Sequence, residues 1–336
     1  MKNNFDVVRT GLALIVVFAH LSALTQLSDF MFFSSLFDSN FAVKGFFAIS
    51  GFLITKSCLE SKSTSEFSEK RFRRIYPAYI CAVFLCLIFG AYATKLSFCN
   101  FVNSIETFNY LISNATFLNF LQPSLPQTFN DNPVNTLNGS LWTIKVEVML
   151  YFITPLFIYF SKKFGYKKPI IILFFLSVSW VYFFEFIYSG NSGNELARQF
   201  PGQISYYILG SFFFLNEKAL IKIRWIVLVS LILLLCIKNP VAKLFVDPIA
   251  YSSIVIFFST SAIKNLNIAK YGDISYGVYL YHFPIIQLLI FLGLFNLNAW
   301  IGFFLSFALT ILVAILSWHF VEKRFLKRTS HYLVAS

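Results

Sequence analysis

Runs of about 20 mostly apolar residues follow one another along almost the whole of this 336-residue chain. A helix of that length crosses the hydrocarbon core of a bilayer, because each residue adds about 1.5 Å toward a thickness of about 30 Å. Only 12% of the residues are charged, which is about half the share found in soluble domains. The sequence therefore excludes an ordinary cytosolic enzyme. It predicts an all-α polytopic membrane protein with a single domain over residues 1–336.

Ten segments meet this criterion, with boundaries defined to within a few residues. They are 7–28, 41–59, 75–94, 142–160, 169–188, 202–216, 225–237, 246–263, 274–295 and 299–320. We therefore predict about ten transmembrane helices.

The distribution of basic residues predicts the orientation of these helices. With the N-terminus in the cytoplasm, 19 of the 27 Lys and Arg residues fall in cytoplasmic segments and four in loops on the other side. Cytoplasmic loops are enriched in Lys and Arg, so we expect both termini inside and the long loop 95–141 outside. Within that loop, apolar spacing predicts an amphipathic helix near 105–118, and polar residues predict a loop over 122–139. The same bias explains the net charge of +12 without a nucleic-acid partner.

Several ionisable side chains lie inside the apolar segments, where a charge costs a few kcal/mol. Arg9 and His20 are eleven residues apart, or about 16 Å along a helix, which places Arg9 near the cytoplasmic surface and His20 about halfway across or beyond. Lys44, Glu147 and His282 occupy three other segments. Interfacial anchoring is the alternative reading of Arg9 and Lys44, and helix packing that of the two histidines.

Three arginines precede the third segment: Arg71, Arg73 and Arg74. A planar guanidinium binds phosphate oxygens in a bidentate way, so the cluster predicts an anion-binding patch at the cytoplasmic side. Anchoring by positive charge is the alternative. Glu322, which closes the tenth segment, is interpreted as a surface anchor. The four histidines are scattered, and no metal site is predicted.

Six short patterns carry a resemblance to a known family. They are Arg9 and His20 with ten residues between them; Phe46–Ile54, which reads Phe-Phe-x-x-Ser-Gly-Phe-Leu-Ile; Arg71 and Arg74 before Tyr76 and Pro77; Leu141, Trp142 and Glu147; Tyr279–Pro284, which reads Tyr-Leu-Tyr-His-x-Pro; and Glu322 with Arg324. In this order and over nearly the whole chain, they resemble the acyltransferase-3 family of integral membrane acyltransferases. That family includes O-acetyltransferases of O-antigen, exopolysaccharide, peptidoglycan and macrolides.

The resemblance implies transfer of an acetyl group from cytoplasmic acetyl-CoA to a hydroxyl of a surface polysaccharide or of its lipid-linked precursor. It places the protein in the bacterial inner membrane, with membrane lipid around it and no tightly bound cofactor. The implied catalytic residues are His20 and Glu147. Residues implied to bind CoA are Arg9, Arg71, Arg73, Arg74 and Tyr76, and those implied to bind substrate are Lys44, Ser50, Trp142, Tyr281 and His282.

Two positions depart from the family pattern. Many members carry an acidic residue where Lys44 stands, and Trp142-Thr-Ile replaces a common Trp-Ser-Leu. The hydrolase-like domain outside the membrane that some members carry is not expected here. Buried ionisable groups also suit a transporter or flippase of a glycan intermediate, although no repeated pair of interrupted helices favours one. A non-catalytic sensor or assembly protein is a third alternative.

Overall fold

The computed structural model describes residues 4–260 and 273–326, and their regular secondary structure is helical. An isolated bridge between Thr94 and Thr128 is their only β pairing. The predicted all-α class is confirmed. The end of the eighth predicted segment lies outside the described residues, as do several of the basic residues that determined the predicted orientation.

Long helices are interspersed with short ones, and their bounds are as follows. They are α1 (Phe5–Thr25), α2 (Met31–Leu36), α3 (Ser39–Glu60), α4 (Thr64–Ala93), α5 (Phe98–Val102), α6 (Ile105–Ala115), α7 (Leu141–Phe164), α8 (Lys167–Tyr182), α9 (Gly193–Ala197), α10 (Phe200–Leu215), α11 (Glu217–Ile221), α12 (Ile223–Cys236), α13 (Pro240–Thr260), α14 (Ser275–Phe291), α15 (Leu294–Leu297), α16 (Ala299–Ser317) and α17 (Lys323–Phe325). Single π-helical stretches follow α8 (Phe183–Ile187) and α16 (Trp318–Glu322), and a 3-10 turn (Ser28–Phe30) precedes α2.

Seven helices among the described residues are long and apolar enough to cross a membrane. These are α1, α3, α4, α7, α13 and the continuous helices that begin with α8 and α16. Each of the three remaining predicted segments contains a shorter helix, namely α10, α12 or α14. The chain is therefore a multi-pass membrane protein, whereas the count of ten and the orientation stay predictions.

The long loop contains the helix that its apolar spacing predicts, α6, and no helix between α6 and α7. Ser104 begins α6 by accepting hydrogen bonds from the backbone N–H groups of Glu106 and Thr107, as a helix N-cap does. Both predictions for this loop are confirmed.

The chain divides into two compact units. Unit 1 contains Met1–Val8, Asn40–Glu69 and Val146–Asn267, and unit 2 contains Arg9–Ser39, Lys70–Lys145 and Ile268–Ser336. The single domain predicted from the sequence stays a prediction.

In unit 1, α3 and α10 cross so closely that only glycine fits at two positions. A Cβ atom on Gly51 would overlap the backbone carbonyl of Tyr207, and one on Gly210 would overlap that of Ala48. Ser211 then reaches across and donates to the Gly51 carbonyl at 3.1 Å. Close backbone approach at small residues replaces the hydrophobic effect as the cause of helix association in lipid.

In unit 2, α4 and α14 run side by side in the same direction. The Tyr276 hydroxyl donates to the Ile75 carbonyl at 3.1 Å, and the Tyr281 hydroxyl donates to the Ala78 carbonyl at 3.3 Å. Because the partners advance together along both helices, the helices are parallel. This agrees with the third and ninth of ten predicted spans, which would cross the membrane in the same sense.

Pro284 interrupts the hydrogen bonding of α14, and the long loop compensates for it. Proline has no N–H, so it leaves the carbonyl four residues earlier, that of Leu280, without its helical donor. The Asn138 side chain donates to that carbonyl at 3.0 Å. The loop thus completes the helix that carries His282.

Gln287, one turn further along α14, fixes the same loop. Its side-chain amide donates to the carbonyls of Val134 and Thr136 at 2.7 and 2.6 Å, and its carbonyl oxygen accepts from Asn132 at 2.9 Å. The Gln287 side chain is fully buried, so these bonds satisfy polar groups that would otherwise be costly.

Gly210→Ala is predicted to destabilise the protein by about 1–3 kcal/mol, because the added methyl group overpacks the crossing of α3 and α10. Gly11→Ala is the matched control, since nothing lies within 4 Å of a Cβ atom on Gly11 in α1. That change should be neutral or stabilising by roughly 0.5–1 kcal/mol. Thermal unfolding in detergent measures both, and equal midpoints for the two variants would contradict the close crossing.

Candidate functional site

A buried network of four charged side chains lies at one end of α1, α4 and α14 in unit 2. Arg74 donates through Nη1 to Glu322 Oε2 at 2.6 Å and through Nη2 to Asp273 Oδ2 at 2.5 Å. Arg9 Nη1 donates to the same Oδ2 at 2.9 Å. Arg74 is 6% exposed and both carboxylates are 1% exposed, so the charges are largely removed from water. Two positive and two negative charges cancel, which is what makes such burial tolerable.

Neighbouring groups hold this network in place. The Arg74 guanidinium lies 5.4 Å from the ring centroid of Tyr276 and 5.9 Å from that of Trp318. Ser275 donates its hydroxyl to Asp273 Oδ1 at 2.5 Å. Burial would raise the pKa of Asp273, but Arg9, Arg74 and the bonds from Ser275 outweigh it and hold that pKa well below its usual range. Asp273 is therefore charged at neutral pH.

The four CoA-binding arginines predicted from the sequence occupy two different environments. Arg9 and Arg74 belong to the buried network, where carboxylates already neutralise them. Arg71 and Arg73 are partly exposed on α4. Arg73 donates to the Phe325 carbonyl at 3.4 Å. Of these four, Arg71 and Arg73 are the two whose side chains are partly exposed.

Tyr76 lies on the same helix as the arginines. Its partly exposed ring stacks on Phe72 with centroids 4.7 Å apart. An aromatic pair next to Arg71 and Arg73 offers an apolar surface beside positive charge, which suits the nucleotide part of a ligand such as CoA.

His20 and His282 meet about three turns along α1 from Arg9. His20 Nδ1 lies 2.8 Å from His282 Nε2, and the two rings are nearly coplanar, with an angle of 11° between their planes. His282 is fully buried and its Nδ1 lies 3.0 Å from the Val278 carbonyl oxygen. His20 is partly exposed. A hydrogen-bonded pair of imidazoles with one partly exposed ring is suited to proton transfer.

Two further predicted substrate-binding residues, Tyr281 and Trp142, also belong to unit 2. The buried Tyr281 hydroxyl lies 3.0 Å from Ser317 Oγ, and Ser317 donates to Glu322 Oε1 at 3.2 Å. This chain links α14 to the charged network. Trp142 is partly exposed in the first turn of α7.

Unit 1 contains the other three predicted site residues. Glu147 Oε1 accepts hydrogen bonds from Ser50 at 3.1 Å and from Tyr151 at 2.5 Å. The Lys44 ammonium lies 5.2 Å from the ring centroid of Tyr206 and 5.7 Å from that of Tyr251. Ser50 and Glu147 are thus brought together, and the roles assigned to all three stay predictions.

Sequence reasoning missed Asp273 and misread Glu322. Asp273 stands just before the ninth predicted segment, outside every predicted span, although an Asp two residues before Ser275, where a helix begins, is a helix-start signal. Glu322 was interpreted as a surface anchor, but it is buried and paired with Arg74. The partners of both carboxylates are distant in sequence, so spacing could not reveal them.

Comparison with known proteins matches nearly the whole chain to one family. Residues 2–319 match the family described as an acyltransferase domain. An "O-acetyl transferase" of Shigella phage Sf6 is 30% identical over 98% of this chain and 97% of its own length. "Nodulation protein 10" of Rhizobium leguminosarum bv. viciae is 25% identical over 98% and 95%. No solved structure matches the chain.

Asp273→Asn is predicted to destabilise the protein by about 3–5 kcal/mol, because it leaves two buried guanidinium groups facing a neutral amide. The control is Asp131→Asn in the exposed pair with Lys95, which should cost less than about 1 kcal/mol. Thermal unfolding in detergent at neutral pH compares the two. A similar small loss in both would mean that the network contributes little.

Proposed function

The chain belongs to the acyltransferase-3 family and is a membrane O-acyltransferase, and we propose that it moves an acetyl group from cytoplasmic acetyl-CoA to a hydroxyl of a surface polysaccharide or its lipid-linked precursor. The observation that carries the proposal is the His20–His282 pair, with one accessible imidazole inside a membrane helix. The printed name of the phage relative supports acetyl as the transferred group.

His20 acts as the general base. Its imidazole takes the proton from the acceptor hydroxyl while the hydroxyl oxygen bonds to the thioester carbonyl carbon. The carbon–sulfur bond then breaks, and the thiolate leaves with the proton that His20 returns. The products are the O-acetyl ester and free CoA, so atoms and protons balance. General-base assistance of this kind contributes about 10²–10⁴-fold.

The phosphates of CoA bind near Arg71 and Arg73. Both are partly exposed in the part of α4 that we predict to be cytoplasmic. The neighbouring Arg74 shares Asp273 with Arg9, which lies about 16 Å along α1 from His20. Pantetheine is an extended chain, so phosphates at the surface and a thioester deeper in the membrane are compatible. In this proposal Arg74 and Arg9 do not bind phosphate. They hold α1 and α4 together through the buried network, next to Arg71 and Arg73 on α4.

The acceptor is a glycan or a lipid-linked glycan, and the membrane is the inner membrane of a bacterium. A surface polysaccharide is assembled on or carried across that membrane, where donor and acceptor can meet. The family resemblance supports a set of proposed acceptor-binding residues, namely Lys44, Ser50, Trp142, Glu147 and Tyr281.

His20→Ala is predicted to lower acetylation by about 10²–10⁴-fold, because the reaction loses its base. The measurement is the mass of surface glycans from cells that produce equal amounts of inserted variant or parent protein. His319→Ala is the control, since His319 is exposed and bonds only to the Ile315 carbonyl among described residues. Undiminished acetylation by His20→Ala would refute this role. Glycan that crosses the membrane without a gain in mass would favour a flippase.

The double variant Arg71→Ala, Arg73→Ala is predicted to raise the KM for acetyl-CoA about tenfold or more, since a lost hydrogen bond between charged groups costs about 1.5 kcal/mol. Two comparisons test whether the rise in KM comes from lost contacts with the phosphates of CoA. The KM for S-acetylpantetheine, which lacks the nucleotide, should not change. The double variant Lys162→Ala, Lys163→Ala removes the same charge from an exposed segment and should leave both values unaltered. An equal rise for both donors would contradict phosphate binding by these arginines.

A further inference from the structure

The hydrogen bonds of His282 determine which of its ring nitrogens carries hydrogen. Nδ1 faces the Val278 carbonyl at 3.0 Å, and a carbonyl oxygen only accepts. Nδ1 is therefore the donor. The ring is fully buried between a carbonyl and a second imidazole, neither of which is an anion, so a charged His282 would be uncompensated. In the neutral ring Nε2 has no hydrogen and acts as an acceptor.

That assignment fixes the tautomer of His20. His20 Nδ1 lies 2.8 Å from the accepting Nε2 of His282, so it donates its hydrogen there. The remaining nitrogen of His20, Nε2, consequently carries the lone pair. Among the described residues no hydrogen bond engages this nitrogen, and His20 is the partly exposed member of the pair.

We infer that His282 is a positioning residue that holds His20 in the Nδ1–H tautomer, so that His20 Nε2 is the atom that accepts the substrate proton. The inference rests on the proposed function for its kinetic consequence, and it assigns His282 a role other than the acceptor contact expected from the family resemblance. Both ring nitrogens of His282 are occupied, so the ring has none left for a substrate.

The same arrangement stabilises the protonated state that follows. When His20 Nε2 takes the hydroxyl proton, His20 becomes a cation whose Nδ1–H still donates to His282. A hydrogen bond to a charged donor is stronger than one to a neutral donor, so the contact strengthens as the reaction proceeds. The Val278 carbonyl in turn orients His282, and the backbone of α14 thus sets the position of the base. This is the logic of a base oriented by a third group, here with an imidazole in place of a carboxylate.

The first test reads the tautomer directly and needs no substrate. Full-length protein labelled with ¹⁵N-histidine is placed in lipid bilayers and studied by solid-state NMR, and His20→Ala identifies the His20 signals. The expected result is a protonated Nδ1 and an unprotonated Nε2 on His20, close in space to His282 Nε2. An Nε2–H tautomer on His20 would overturn the inference, whether or not the protein acetylates a glycan.

The second test uses two variants that each keep one of the two hydrogen bonds. His282→Gln carries its amide at the level of ring Nε2 and can accept from His20, whereas His282→Asn reaches only the level of Nδ1 and the Val278 carbonyl. We expect His282→Asn to lower kcat about 10²-fold with little change in KM. His282→Gln should stay within about tenfold of the parent, a partial rescue that a purely structural role would not give.

Two outcomes of the second test would overturn the inference. One is an equal kcat for the Gln and Asn variants at equal amounts of folded protein. The other is a raised KM for the acceptor with an unchanged kcat, which would return His282 to substrate binding. A parent protein that shows the expected tautomer but never modifies a glycan would refute the proposed function and leave the hydrogen-bond assignment standing.

Discussion

The shared Oδ2 atom of Asp273 is the interaction on which the arrangement of unit 2 depends. Arg9 from α1 and Arg74 from α4 both donate to it, just before α14 begins, and Arg74 also binds Glu322 beyond α16. Removing four charges from water is expensive, and each is tolerable only while its partners stay in place. The network thereby joins four stretches of chain: α1, α4, Asp273 just before α14 and Glu322 just after α16. Any packing that separated them would leave a charge uncompensated.

The histidine pair joins α1 and α14 at a second level. Arg9 and His20 are eleven residues apart on α1. Their partners are nine residues apart: Asp273 lies just before α14, and His282 lies within it. Partners that advance together show that the two helices run parallel, and two separate contacts fix their register. A slide of either helix by one turn would break the ion pair and the imidazole pair together. The position of His20, the proposed base, thus follows from the same register that pairs Arg9 and Arg74 with Asp273.

Hydropathy alone predicted the all-α class and the seven long apolar helices, because lipid requires every long apolar segment to satisfy its backbone internally. The cost of charge in lipid likewise singled out Arg9 and His20. What could not be predicted was pairing: Arg74 finds Asp273 199 residues away, and His20 finds His282 262 residues away. Local spacing predicts contacts within a helix, but it does not predict contacts between helices that are far apart in the sequence. For this reason the sequence assigned Glu322 to the surface, gave no role to Asp273 and did not reveal that Arg74 is paired with both carboxylates.

Proline at position 284 makes part of the long loop between α6 and α7 a component of α14. The donor that α14 lacks is supplied by Asn138, on a segment that also holds Gln287 through its backbone. This stretch of loop therefore cannot vary in length as freely as an ordinary connection between membrane helices. A loop transplanted into this position must bring its own amide donor for the Leu280 carbonyl.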